Sequence, residues 1–110
     1  IIGFGDQVRC FTGIEDVAEA IAKFSFDEKT NSQTYNLGNP EPISMKELAR
    51  LIYQGTEPLE FVTTKFFDDD VDMRIPSIDR AQKELGFKPT KKIKEAVSIC
   101  LKEYSENPDK

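Results

Sequence analysis

Histidine and tryptophan are both absent from this 110-residue chain, and the missing histidine has the larger consequence. Without it, Ser-His-Asp and Cys-His nucleophile systems lack their base and the common His-ligated metal sites lack a ligand. Any acid–base chemistry is left to Tyr, Lys, Asp or Glu. Cysteine is nearly as scarce. Cys10 and Cys100 lie near opposite ends of the chain with no CxxC spacing, which gives a disulfide framework or a zinc site little support. Both read as buried thiols in a reducing compartment. Long apolar runs are missing too: Ile99-Cys100-Leu101 is typical, against the roughly 20 residues a bilayer requires. No signal peptide is visible, so the chain is expected to be cytoplasmic with no membrane partner. Nor is there a concentration of positive charge. The 15 Lys and Arg against 20 Asp and Glu leave a formal charge of −5, and only Lys91-Lys92-x-Lys94 is clustered, so nucleic acid is not an expected partner.

What the chain does hold is material for one small core. Hydrophobic residues make up 38%, with eight Phe and three Tyr, enough for a single domain over residues 1–110 that buries roughly 60–70% of its unfolded surface. The pattern alternates strands and helices. Residues 1–11 read as a β segment interrupted by a turn at Gly3-Phe4-Gly5-Asp6. Thr12 with Glu15 forms a capping box for a helix whose stripe is Ile14, Val17, Ala18, Ile21 and Phe24, running to about Asp27. A loop over Asp27 to Gln33 leads to a strand at Thr34 to Leu37. Ser44 with Glu47 caps a second helix with Met45, Leu48, Ala49 and Ile52 inside, ended by Gly55. Leu59 to Phe67 is β-rich, followed by an acidic loop at Asp68 to Asp72.

Ser77 or Asp79 can cap a third helix with Ile78, Ala81 and Leu85 on its apolar face and Gly86 as a left-handed stop. The last helix carries Ile93, Ala96, Val97, Cys100, Leu101 and Tyr104 until Asn107-Pro108. The expected class is α/β, with short mixed strands and about four helices. Asp68, Asp70 and Asp72 have the first spacings of a calcium loop, but Met73 stands where glycine is required and Pro76 breaks the loop, so they read as solvated acids.

Three stretches resemble the C-terminal third of the extended short-chain dehydrogenase/reductase family of nucleotide-sugar epimerases, dehydratases and decarboxylases. The first runs from Gly3-Phe4-Gly5-Asp6-Gln7-Val8-Arg9-Cys10-Phe11 to Glu15-Asp16-Val17. The second is Tyr35-Asn36-Leu37-Gly38-Asn39 leading to Ile43-Ser44. The third runs from Asp69-Asp70 through Arg74-Ile75-Pro76 to Leu85-Gly86-Phe87-Lys88-Pro89. The resemblance implies the C-terminal part of an NAD(P)-binding Rossmann-fold enzyme, lacking the N-terminal dinucleotide-binding region. Because the chain opens at Ile1 within strand-like sequence, it reads as a piece of a longer protein. Gly13, Val71 and Ser77 depart from the family's usual residues.

That resemblance makes Arg9 and Arg74 grips for the diphosphate of a UDP- or dTDP-sugar, since paired guanidinium N–H groups match phosphate oxygens. Gln7 and Asn36 are placed near the nucleotide or the cleft floor; a local role for Asn36 in shaping its turn stays open. The family's Tyr-x-x-x-Lys pair is missing, because Tyr35, Tyr53 and Tyr104 are followed four residues on by Asn39, Glu57 and Pro108. The dinucleotide glycine fingerprint is incomplete, with Val8 where a third glycine belongs. The chain by itself is therefore expected to be non-catalytic and to hold no cofactor, NAD belonging to the parent enzyme. Its expected partners are a nucleotide sugar and the dinucleotide-binding region. A different reading is a stand-alone module for nucleotide binding or assembly, for which the strand edges and apolar faces of an isolated chain point to self-association.

Overall fold

The computed structural model describes residues 3–65 and 71–108. In chain order its elements are β1 (Val8–Cys10), α1 (Ile14–Phe24), a 3-10 turn (Glu28–Thr30), β2 (Pro42–Ser44), α2 (Met45–Ile52), α3 (Asp79–Leu85) and α4 (Ile93–Glu106). The α/β class and the four helices agree with the sequence reading. Ile1 and Ile2, the Phe66–Phe67 end of the expected strand, and Asp68 to Asp70 of the acidic loop lie outside the described residues.

The two strands pair antiparallel with Val8 opposite Ser44, Arg9 opposite Ile43 and Cys10 opposite Pro42. Gly3 and Gly5 take positive φ of 62° and 77°, which suits glycine and makes the turn that leads into β1. On its other side β1 receives Met73 in a parallel bridge with Val8. The buried cluster is Ala20 of α1, Ile78 and Ala81 beside and within α3, and Phe87, with Phe24, Tyr35 and Leu37 packed against it. Gly86 closes α3 at φ 66°, its N–H bonding to Ala81 and Gln82 carbonyls, the left-handed stop that its sequence position implied.

Several local expectations are corrected. Thr12 does not cap α1: the N-cap is Gly13, with no side-chain bond, because the Thr12 hydroxyl accepts the Asn39 N–H at 3.0 Å instead. Gly13 has little room to spare, since a Cβ there would lie 3.2 Å from Cβ of Lys91 and 3.9 Å from Cβ of Ala96. The start of α1 thus lies against the start of α4. Helix α1 stops at Phe24, and Asp27 caps the 3-10 turn by accepting from the Lys29 amide at 3.0 Å.

No regular strand forms at Thr34 to Leu37 or over the described part of Leu59 to Phe67. These residues have strand propensity, but a strand exists only where a neighbour completes the ladder. Tyr35 and Leu37 contribute side chains to the core, and the Thr64 carbonyl accepts from Gly3 at 2.7 Å. Neither Ser77 nor Asp79 caps α3, whose N-cap is Ile78 with no side-chain bond. Helix α2 has the full Ser44–Glu47 capping box but ends before Gly55. Tyr53 folds back, its hydroxyl donating to the Glu57 carbonyl at 2.6 Å, and its ring occupies the space that a Cβ on Gly55 would need. Cys10 is half-buried and Cys100 exposed, both as free thiols, so the reading of two buried thiols fails for Cys100, which sits on the outer side of α4.

The long-range clamp is Asp16. This buried carboxylate on α1 accepts the Thr90 hydroxyl at 2.6 Å, the Thr90 amide at 3.0 Å and the Lys91 amide at 2.9 Å. It thereby ties α1 to the segment that starts α4. Burial pushes its carboxyl up, but the Thr90 hydroxyl, the Lys91 and Thr90 amides and the Lys91 charge outweigh that and hold it below the ordinary value. A folded-state pKa below the unfolded one means that the clamp stabilises the fold above the unfolded value and is lost as pH falls through the folded one. Asp16→Ala, which orphans those donors, is expected to cost about 1–3 kcal/mol in urea unfolding at neutral pH. The gap from the parent chain should shrink as acid titrates the carboxyl; an unchanged gap across that window would contradict the clamp.

Candidate functional site

The site grows from the backbone of Val8. Its N–H donates to the Asp72 carbonyl at 2.7 Å, and its carbonyl accepts the Arg74 N–H at 3.0 Å. These bonds set the parallel register, with Met73 abreast of Val8 and Arg74 abreast of Arg9. The same carbonyl also accepts from Nη1 of Arg9 at 2.9 Å, which draws the Arg9 guanidinium back along its own strand. Two arginines far apart in the sequence are thereby brought to one place by three bonds to one residue.

Both line a groove of about 310 Å³ together with Cys10, Thr12, Leu37, Gly38, Ile75 and Pro76. Its floor is apolar and its charges are cationic. The Thr12 hydroxyl, which accepts from the Asn39 amide, keeps its own proton to donate. Gly38 is buried behind Thr12, and a Cβ there would stand 3.3 Å from the Thr12 hydroxyl oxygen and 3.7 Å from Pro76. A second, smaller concavity of about 120 Å³ lies beside Asp16, Lys23 and Phe87. The acceptors of Asp16 there are already taken by Thr90 and Lys91, so the arginine groove is the better candidate for an external ligand.

The other two nominated residues lie outside that lining. Gln7 is buried just ahead of β1, where its carbonyl accepts the Met45 amide at 3.0 Å and so fixes the start of α2. Asn36 is exposed, and its Nδ2 donates to the Ser77 carbonyl at 3.2 Å, which joins the 34–37 segment to the approach to α3. Thr12 and Gly38 were not nominated. Both fall within stretches that carry the family resemblance, and Thr12 is also read from the sequence as a helix cap.

Asn39 was also missed. Its Oδ1 accepts the Glu41 amide at 3.0 Å and its Nδ2 donates to the Lys91 carbonyl at 3.2 Å. Glu41 in turn accepts the Ile93 amide at 3.3 Å, a carboxylate at the positive end of α4. The readable clue was Asn39 itself, whose side-chain oxygen can accept the backbone N–H two residues on, the pattern of an Asx turn.

Gly3 and Gly5 lie in a turn that enters a strand, not one that opens a helix beneath a pyrophosphate, so they do not fit a dinucleotide. Among the described residues no group of three or more Cys, Asp or Glu side chains is placed to hold a metal ion. None of the described helices is long and apolar enough to cross a membrane.

No family model matches the chain. It is 28% identical over 107 residues to UDP-glucuronic acid decarboxylase 2 of Arabidopsis thaliana, covering 94% of this chain and 23% of that enzyme. It superimposes on an epimerase from Methanothermobacter thermautotrophicus with TM-score 0.90 at 25% identity, covering 99% of this chain and 33% of that one. A UDP-glucuronic acid 4-epimerase from Bacillus cereus, solved with UDP-glucuronic acid and NAD, gives TM-score 0.83 at 19% identity over 96% of this chain and 34% of that one. The chain thus spans about a quarter to a third of the length of these proteins.

Cys10 offers a native probe of the groove. Burial, and then the negative charge of Glu41, raise its thiol above the ordinary value. Since the thiolate is the reactive form, iodoacetamide should alkylate Cys10 more slowly than exposed Cys100 at neutral pH, and catch up only at a pH above the usual thiol range. Faster labelling of Cys10, followed by mass spectrometry, would contradict this environment.

Proposed function

Because the chain is homologous to a portion of the UDP-glucuronic acid decarboxylases and shares the fold of a portion of the NAD-dependent epimerases and dehydratases, we propose that it recognises the diphosphate of a nucleotide sugar. The observation that carries this reading is the register that puts Arg9 abreast of Arg74 on one groove wall. A diphosphate presents two adjacent anionic groups, and two guanidinium forks at neighbouring strand positions can each take one with charge-assisted hydrogen bonds. Thr12 adds a neutral donor, while Leu37, Ile75 and Pro76 supply apolar surface beside the two arginines.

In this reading the chain supplies binding and orientation. Energy gained at the diphosphate, remote from the sugar's reacting carbon, holds the sugar in place for a dinucleotide-binding portion that carries the redox chemistry. The chain's own tyrosines have no lysine four residues on, and its glycine turn does not fit NAD, so no chemical step is assigned to its residues.

Isothermal titration with UDP tests the reading. Arg9→Ala and Arg74→Ala are each expected to weaken binding by about tenfold to a hundredfold, the range of one lost charge-assisted contact. Lys46→Ala, which removes only an exposed ion pair with Asp6, should leave the affinity unchanged. Equal binding by the Arg9→Ala/Arg74→Ala double variant would discard the proposal.

A further inference from the structure

Asn39 is a polar residue that the fold buries, at 7% exposure, and its side chain is spent on its surroundings. Its Oδ1 accepts the Glu41 amide at 3.0 Å, and its Nδ2 donates to the Lys91 carbonyl at 3.2 Å and to Oε2 of Glu41 at 3.4 Å. That Glu41 oxygen also accepts the Ile93 amide, and the Lys91 amide is held in turn by Asp16. The turn that carries Asn39 is therefore fastened to the start of α4 at two points. A buried amide is costly unless its groups are paired, and here the pairing fixes where the Asn39 backbone lies.

That backbone acts on the arginine groove at one remove. Asn39 is not part of the lining, but its N–H donates at 3.0 Å to Oγ1 of Thr12, which is. Gly38 lets the two approach, because a Cβ there would stand 3.3 Å from the same oxygen. A threonine hydroxyl carries one proton and two lone pairs. One lone pair faces Asn39, and among the described residues the proton goes to no protein acceptor. An O–H whose oxygen already accepts a hydrogen bond is the stronger donor, since bonds in a chain polarise one another.

We infer that Asn39 is a positioning residue for the groove, holding the Thr12 hydroxyl as a donor of fixed direction toward a phosphate oxygen of the ligand. This rests on the diphosphate reading and deepens it. The two guanidinium groups supply charge, on long side chains with many rotamers. Thr12 is short and β-branched, with few rotamers of its own, and its oxygen is tied through Asn39 to α4, so it adds direction where the arginines add attraction.

Isothermal titration with UDP on the full chain tests the inference as a double-mutant cycle. Thr12→Val, which removes the hydroxyl and keeps the shape, is expected to weaken binding about two- to tenfold, the range of one neutral hydrogen bond. Thr12→Ser should recover most of that loss. Asn39→Ala should weaken binding by a similar factor, and adding it to Thr12→Val should cost nothing more, because both act through one hydroxyl. A second readout needs no substitution at Asn39: its backbone amide resonance should shift on saturation with UDP in the parent chain and stay in place in Thr12→Val. Losses that add in the double variant, or an Asn39 amide that ignores UDP, would overturn the inference while leaving the arginine reading intact. Absence of UDP binding by the parent chain, or equal binding by Arg9→Ala/Arg74→Ala, would instead remove the diphosphate reading and this inference with it.

Discussion

Three hydrogen bonds at Val8 organise the arginine groove of this molecule. The Val8 amide and carbonyl grip the backbone on either side of Met73, and the carbonyl also takes the Arg9 guanidinium. Backbone pairing of this kind is sequence-tolerant, so it supplies position and leaves the side chains to supply chemistry. Parallel pairing needs a long connection between its strands. Here that connection is most of the chain: α1, β2 and α2 all intervene between Arg9 and Arg74. The groove is therefore a product of the fold, and neither arginine has a neighbour in sequence to complete it.

Holding those distant pieces together falls to a few satisfied polar groups. Asp16 joins α1 to Thr90 and Lys91, Asn39 joins the Gly38 turn to Thr12 and Lys91, and Glu41 meets the first turn of α4. Arg80 does similar work at the other end, bonding the Thr34 carbonyl and Gln33, pairing with Glu84 and lying 4.7 Å from the Tyr35 ring. The hydrophobic cluster itself is small, centred on Ala20, Ile78, Ala81 and Phe87. With so few apolar residues enclosed, polar ties that would be secondary in a larger core carry much of the specificity.

Local rules were readable where their partners lie within a few residues. The Ser44–Glu47 box, the left-handed Gly86 and the apolar face of α3 need nothing beyond their own helix or turn, and all three formed as the sequence implied. Thr12 shows the opposite case: its spacing to Glu15 met the capping pattern, yet the Asn39 amide, far away in sequence, competed for the hydroxyl and won. Strand propensity at Thr34 to Leu37 failed for the same reason, because ladders are made by neighbours. The apolar periodicity of α1 gave a helix but not its orientation. Ala20 rather than Ile14 or Ile21 went inside, since Asp16 had to face Thr90. At the site, Arg9 and Arg74 could be paired in advance only through family resemblance, as spacing alone says nothing about two residues brought together by the parallel bridge.

The central claim is that two arginines, set abreast by Val8, act on one ligand. The side-chain Nε–Hε resonances of Arg9 and Arg74, followed by NMR during addition of UDP, test it most directly. The account predicts that both move along one saturation curve with a common dissociation constant, while the Arg80 resonance stays in place. Movement of only one of the pair, or two curves with different midpoints, would contradict it.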